Sequence, residues 1–197
     1  DALRMAILRG TFRPGEKLDQ QQISDDLGVS RSPVRGALRT LAAEGLVTNI
    51  PNRGAIVTER TIQELSELRY IRCLLEGAAA RRAAPKMDKQ RLERLALIIN
   101  QADKTNDLEE ILALNNEFRT TIYSAYPQTI LMNHIQQLRN KMAPYNRIYL
   151  EKFGNKKIAW SGHRRIYKAC LDQDGRQAAE ETKIHLEEVF QGIIEVA

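Results

Sequence analysis

Arg31 and Arg35, four residues apart, open a stretch in which basic side chains outnumber acidic ones. From residue 31 to residue 53 stand Arg31, Arg35, Arg39 and Arg53, with Glu44 as the only acid. On a helix a spacing of four puts Arg31 and Arg35 on one face, so both can point outward together. A guanidinium fork matches the O6/N7 edge of guanine, or a phosphate. Ser32 can contact either. Arg53-Gly54 joins a charge to a bare backbone that can come close to a minor groove or its phosphates. The chemistry on offer is the gripping and reading of a polyanion. Charge alone leaves a second reading open, in which these arginines are the solvated face of some other small α/β module.

The elements needed to position these residues can be read along the chain. Leu3, Ile7 and Leu8 share one face of a first helix, and Pro14-Gly15 makes a turn. Lys17-Leu18 is read as a very short strand. Asp19 is a natural N-cap for a second helix running to Leu27, with Ile23 and Leu27 inward. Gly28 suits the left-handed position that ends a helix. A third helix starts at Ser30 or Arg31, with Pro33 in its first turn, where a missing N–H costs little. It runs to about Glu44, with Val34, Ala37, Leu38 and Leu41 inward. Residues 46–50 and 55–58 read as two strands joined by the turn Pro51-Asn52-Arg53-Gly54. After Thr61 the pattern is helical throughout, in six segments: 61–84, 88–104, 108–125, 129–153, 156–172 and 175 to the end. Their breaks carry Pro85, Asn106-Asp107, Pro127, Gly154-Asn155 and Asp174-Gly175.

The whole chain bounds the answer more loosely. Its 197 residues suit one large domain or two small ones, and 43% hydrophobic with 28% charged residues is ordinary for a packed soluble protein. A formal net charge of +5 is too small to argue for a polyanionic partner by itself, so its distribution carries the case. Cys73 and Cys170 sit far apart in apolar helical patterns and read as free thiols in a reducing cytoplasm. No apolar run approaches the roughly 20 residues of a membrane span, so no membrane partner is expected. No signal peptide is visible. The chain begins at Asp1, not Met, inside what reads as a helix, so the natural N-terminus is expected to lie upstream.

Helix, short turn, helix and two-stranded hairpin is the order of a winged helix-turn-helix, whose second helix enters a major groove. Gly28-Val29-Ser30-Arg31-Ser32-Pro33-Val34-Arg35-Gly36-Ala37-Leu38 carries a resemblance. So do residues 41–47, Arg53-Gly54-Ala55-Ile56-Val57 and the opening turn at residues 12–18. Together they resemble the DNA-binding domain of the GntR family of transcriptional regulators. Gly36 departs from the alanine usual there and puts a weak helix former mid-helix, at a cost of about 1 kcal/mol.

The helical half resembles the FCD effector domain of the FadR branch, and its six helices are similar to the VanR-like subgroup. The matching stretches are residues 68–76 with 78–84, Asn115 to Arg119, His163 to Ala169, and Asp174, Ala178 and His185. Many such domains hold a divalent metal through one aspartate and three histidines. Here the matching positions are Asn115, Arg119, His163 and His185. The resemblance thus implies zinc or nickel, but a carboxylate and an imidazole have been replaced, so at most His163 and His185 remain as ligands. The alternative is that Arg119 binds an effector carboxylate directly, helped by Arg72, Asn115, His163 and His185. A third reading pairs Arg119 with an internal acid such as Glu76. His134 reads as a surface or core residue, and the stripe Tyr145, Ile148, Tyr149 as core or pocket lining.

The expected fold is therefore mainly α. Residues 1–59 form a winged helix-turn-helix with a small β-hairpin wing, and residues 60–197 an all-α antiparallel bundle for ligand binding and dimerisation. The expected function is a cytoplasmic, homodimeric transcriptional regulator, most simply a repressor. Its partners are a palindromic double-stranded operator and a small organic anion. Two alternatives are an architectural DNA-binding dimer without effector, and a metal-dependent hydrolase built on His163 and His185. The hydrolase lacks a third ligand and an evident general base.

Overall fold

Caps and turns set most of the boundaries. The computed structural model describes residues 1–126, 129–153 and 156–195, with side chains for all of these but 153 and 156–159. The elements in order are α1 (Ala2–Leu8), α2 (Gln20–Asp26), α3 (Arg31–Ala43), β1 (Val47–Ile50), β2 (Gly54–Val57), α4 (Ile62–Ala83), α5 (Lys89–Lys104), α6 (Leu108–Tyr123), α7 (Thr129–Phe153), α8 (Lys156–Leu171) and α9 (Gly175–Ile194). Aspartates cap three of the six later helices. Asp88 accepts from the Arg91 N–H, Asp107 from Glu110 N–H, and Asp174 from the N–H groups of Arg176 and Gln177. Thr61 and Glu64 form a reciprocal capping box at the head of α4. Pro85 ends α4 in a 3-10 turn over Ala84–Lys86. The predicted breaks at Pro127 and Gly154-Asn155 lie outside the described residues.

In the N-terminal part Asp19 caps α2 as expected, and Gly28 takes φ +63° between α2 and α3. β1 and β2 pair antiparallel with Val47 opposite Val57 and Ile50 opposite Gly54. Their turn closes through the Arg53 N–H on the Ile50 carbonyl at 3.1 Å. The short strand expected at Lys17-Leu18 is a single bridge, Lys17 to Ile56, extended by the Leu18 N–H on the Ala55 carbonyl. Leu3, Ile7, Ile23, Val34, Leu38, Leu41 and Val57 share one core. Leu27 is not part of it and is 46% exposed. It caps the two-turn helix α2, where the chain already swings toward Gly28, so only Ile23 reaches the core. Ala37 is half-buried rather than buried.

The six later helices enclose a second core around Phe118, Trp160, Leu95, Ile98 and Ile122. A smaller cluster, Leu65, Met142, Tyr145, Tyr149, Phe190 and Ile193, ties α4, α7 and α9 together. Polar and backbone contacts join this end to the N-terminal part. The Arg60 N–H donates to the Tyr145 hydroxyl at 2.7 Å, and the Arg60 guanidinium donates to the Gly45 carbonyl. Gly10, at φ +70°, sits against Arg147, where a Cβ would stand 2.4 Å from Arg147 Cδ. α7 carries Pro144 in its interior, which removes one helical hydrogen bond. No helix among the described residues is long and apolar enough to cross a membrane.

Candidate nucleic-acid interface and ligand cavity

α3 has an apolar side and a polar side. Val34, Leu38 and Leu41 are buried, whereas Arg31, Ser32, Arg35 and Arg39 are all exposed. Arg31, Arg35 and Arg39 step by four along the helix and form one outward row. Arg31 Nε donates to the Gln21 side chain of α2. Among the described residues, Arg35 and Arg39 have no acid within 4 Å, and neither has Arg53 on the wing turn. Arg53 and Gly54, the latter at φ +84°, are exposed. Gly36 lies on the same outward side, between Ser32 and Arg39, with open space beyond it. A row of outward guanidiniums with no acid bonded to them, flanked by a basic wing, can seat in a groove about 12 Å wide and grip its phosphates.

The second feature is a cavity of about 1020 Å³. Its walls come from α4, α6, α7 and α9 on one side, and from α1 with the turn Arg9–Pro14 on the other. Arg72, Asn115 and Arg119 line it, as does Arg139 of α7. Asn115 and Arg119 share a face of α6, as their spacing predicts.

Behind that wall lies a buried charge cluster centred on Glu76, whose residue is fully excluded from water. Arg72 Nε donates to one carboxylate oxygen at 2.8 Å. Arg119 Nη1 and the Tyr123 hydroxyl donate to the other at 2.7 and 2.9 Å. Arg119 Nε donates to Asn115 Oδ1 at 3.2 Å. Burial alone would push the Glu76 carboxyl up, but Arg72 and Arg119 overcome it and hold the pKa near 2. In return Glu76 raises Arg119 against its own burial. Burial, with Glu76 adding to it, pushes the Tyr123 hydroxyl up. The internal acid for Arg119 is therefore in place.

His163 and His185 are not among the residues that line the cavity. Their rings meet edge to face at 4.4 Å, and His163 also packs on Trp160 at 4.3 Å and Phe118 at 4.7 Å. Burial first, then the charges of His163, Arg119 and Arg72, hold His185 well below the usual imidazole range, so its ring stays neutral. Both of its ring nitrogens are buried without a hydrogen-bond partner. These residues do not fit a divalent metal. Two imidazoles are present, the nearby carboxylate of Glu76 is committed to Arg72, Arg119 and Tyr123, and Arg119 would repel a dication. Among the described residues, no three His, Cys, Asp or Glu side chains come together as a ligand set.

Sequence reasoning missed Arg139, Asn146 and the contribution of the turn after α1. Arg139 stands between Ile135 and Met142 on one stretch of α7, and both of those are buried. A charge interrupting an apolar face was the available signal. The cavity wall formed by residues 9–14 left no such signal. His134 is exposed, and Tyr145 and Tyr149 are buried with Tyr149 also on the cavity wall.

Comparison with known proteins finds matches for both halves of the chain. Residues 1–57 match the model for "Bacterial regulatory proteins, gntR family", and residues 67–188 match the FCD domain. The HTH-type transcriptional regulator YdhC of Bacillus subtilis (strain 168) is 29% identical over 189 residues, 93% of this chain and 84% of that protein. The structure of E. coli McbR/YncC superposes with a TM-score of 0.79 at 27% identity, covering 99% of this chain and 92% of that one. A GntR-type regulator structure from Rhodococcus sp. RHA1 shares the fold at a TM-score of 0.84 and 24% identity, covering 100% and 95% of the two chains.

Proposed function

The chain belongs to the GntR family of bacterial regulatory proteins and carries an FCD domain, and from that premise we propose how it works as an effector-controlled operator-binding dimer. It is a DNA-binding transcriptional regulator and not an enzyme, as its family is. Residues 1–59 act as the reading head and residues 60–197 as the sensing and dimerising domain, in the cytoplasm. Arg31, Ser32, Arg35 and Arg39 meet base edges and phosphates in the major groove, while Arg53 and Gly54 reach the adjacent backbone. A two-fold dimer presents two such heads to a palindromic operator. The dimer forms through the outer face of α4, where Tyr70, Ile71 and Leu74 are 59, 41 and 51% exposed within two turns of helix.

The effector is a small organic anion held in the cavity beside Arg72, Asn115 and Arg119. One observation supports this most: the cavity is bounded by sensing helices and by the head at once. A ligand filling it touches both, so it binds one relative placement better than another. That differential affinity, typically about 1–3 kcal/mol, is what can change operator affinity. Loss of operator binding on filling the cavity makes the protein a repressor.

The test is footprinting of the full chain on DNA flanking its own gene, with and without a panel of organic acids. The expected result is a two-fold symmetric protected region that one of the acids releases. Absence of any symmetric footprint overturns the operator reading. A neutral compound that proves the best ligand overturns the effector reading.

A further inference from the structure

The charge balance around the cavity narrows the chemical class of its ligand. Six arginines line the wall: Arg9, Arg13, Arg72, Arg119, Arg139 and Arg147. Against them stand Glu109, Glu110 and Glu151 on the wall and Glu76 behind it, a surplus of two positive charges. The surplus is not spread evenly. Arg147 at the rim is paired with Glu109 and Glu151. Away from the rim, by contrast, stand three guanidiniums, the buried Arg72 and Arg119 and the half-buried Arg139, and of these only Arg72 and Arg119 bond to the single carboxylate of Glu76.

Arg139 is the one left over. Among the described residues no carboxylate lies within 4 Å of it, and its guanidinium donates to Asn116 Oδ1 at 3.0 Å. Burial, together with the like charges of Arg119 and Arg72, pushes its pKa down to about 10, with Glu76 offsetting part of the effect. It still carries its charge at neutral pH, half-buried on the cavity wall and with no carboxylate bonded to it. Seven residues further along α7, and so on the same face, Asn146 also lines the cavity with its side-chain oxygen buried and unbonded. Arg139 thus brings to this space a positive charge with no bonded carboxylate, while Asn146 Oδ1 beside it is an acceptor that only a donor group, such as a hydroxyl, could satisfy.

We propose that the cavity binds a small dianion, gripped directly by Arg139, with Arg119 and Arg72 supplying the second positive charge from their places on Glu76. The inference rests on the organic-anion reading above and adds the ligand's charge and the residue that reads it. A monoanion would leave one of the two interior charges uncompensated. A dianion balances both, and its second acidic group separates the ligand from monocarboxylates of the same length. Glu76 then acts as a positioning residue: it holds Arg72 and Arg119 at fixed places without touching the ligand.

The test is titration calorimetry of the full chain with straight-chain dicarboxylates of three to six carbons, inorganic phosphate and glycerol phosphate. Monocarboxylates of matched length and their neutral amides serve as comparisons. At least one dianion is expected to bind ten-fold or more tightly than its monoanion counterpart. The two dianion types separate a carboxylate ligand from a phosphate one. Arg139→Gln is expected to bring the ratio within about three-fold, and Arg139→Lys to keep part of it. Cooperative melting of both variants shows that they remain folded. If matched monoanions bind as tightly as dianions, or if Arg139→Gln keeps the full ratio, the dianion proposal is overturned while the organic-anion reading stands. If no anion of either charge binds, both fall.

Discussion

Arg119 and Glu76 meet at 2.7 Å in the helical half of the molecule, on helices α6 and α4, with both residues almost wholly withdrawn from water. The pair is not isolated, since Arg72 and Tyr123 donate to the same carboxylate. Glu76→Gln removes the charge that Arg72 and Arg119 share and leaves two buried guanidiniums uncompensated. Removing one partner of such a cluster costs about 3–5 kcal/mol. A fall of that size in urea stability is the expected result; a change under 1 kcal/mol would show the cluster to be dispensable.

The same carboxylate predicts an acid limb. The folded pKa of Glu76 lies near 2, below its ordinary value of 4.5. A depressed carboxylate pKa stabilises the folded state fully above the ordinary value. That contribution declines as the pH falls from about 4.5 and is gone below about 2. Urea midpoints measured across this window should drop more steeply for the wild type than for Glu76→Gln. Parallel curves would contradict the assignment.

On the outward side of α3, Arg35→Ala should cost about 1–3 kcal/mol of operator binding and relax base preference. Arg53→Ala should weaken operator and unrelated DNA alike and flatten the salt dependence. Gel-shift titrations at two salt concentrations distinguish the two patterns. Equal loss of specificity in both variants would count against a groove-reading role for α3.

Gly36→Ala should stabilise the fold by about 0.4–1 kcal/mol, because α3 is regular there and a Cβ meets nothing within 4 Å. The thermal midpoint reads this directly. The same change should weaken DNA binding if the helix seats along Ser32, Gly36 and Arg39, since the new methyl then occupies the contact.

Zinc or nickel should leave the thermal midpoint unchanged, and His185→Phe should stay within about 1.5 kcal/mol of the wild type. The imidazole is buried and held neutral against the His163 ring, with no bond to its nitrogens to lose. One tightly held metal per chain by elemental analysis, lost in that variant, would overturn this account.

Much of the fold was legible because its signals are local. Asp19, Gly28, Asp88, Asp107 and Asp174 act within a turn of where they stand, so the sequence around each is sufficient to place a helix end. Periodicity also placed Asn115 and Arg119 together on one side of α6. It fixes a residue's angle about its own helix axis but not what lies opposite. The sequence offers Glu76, 43 positions away, as one partner for Arg119 among several readings, and the two do bond. Arg139 and the residues after α1 reach the cavity only through tertiary packing. His163 and His185 meet ring to ring, but neither lines the cavity as expected, and His163 packs on Phe118 and Trp160 instead.

The stretch Thr58–Thr61 between β2 and α4 is four residues long, and four extended residues reach about 14 Å. It is therefore a short leash, tied at one end by the Thr58 N–H on the Leu46 carbonyl and at the other by the Thr61 cap. Half-sites one helical turn apart on DNA lie about 34 Å from centre to centre. A head on such a leash cannot stray by a full turn to find a badly spaced half-site. In the proposed dimer the paired bundles then work as a ruler, and displacing one end by a few ångströms puts both heads out of register with the groove.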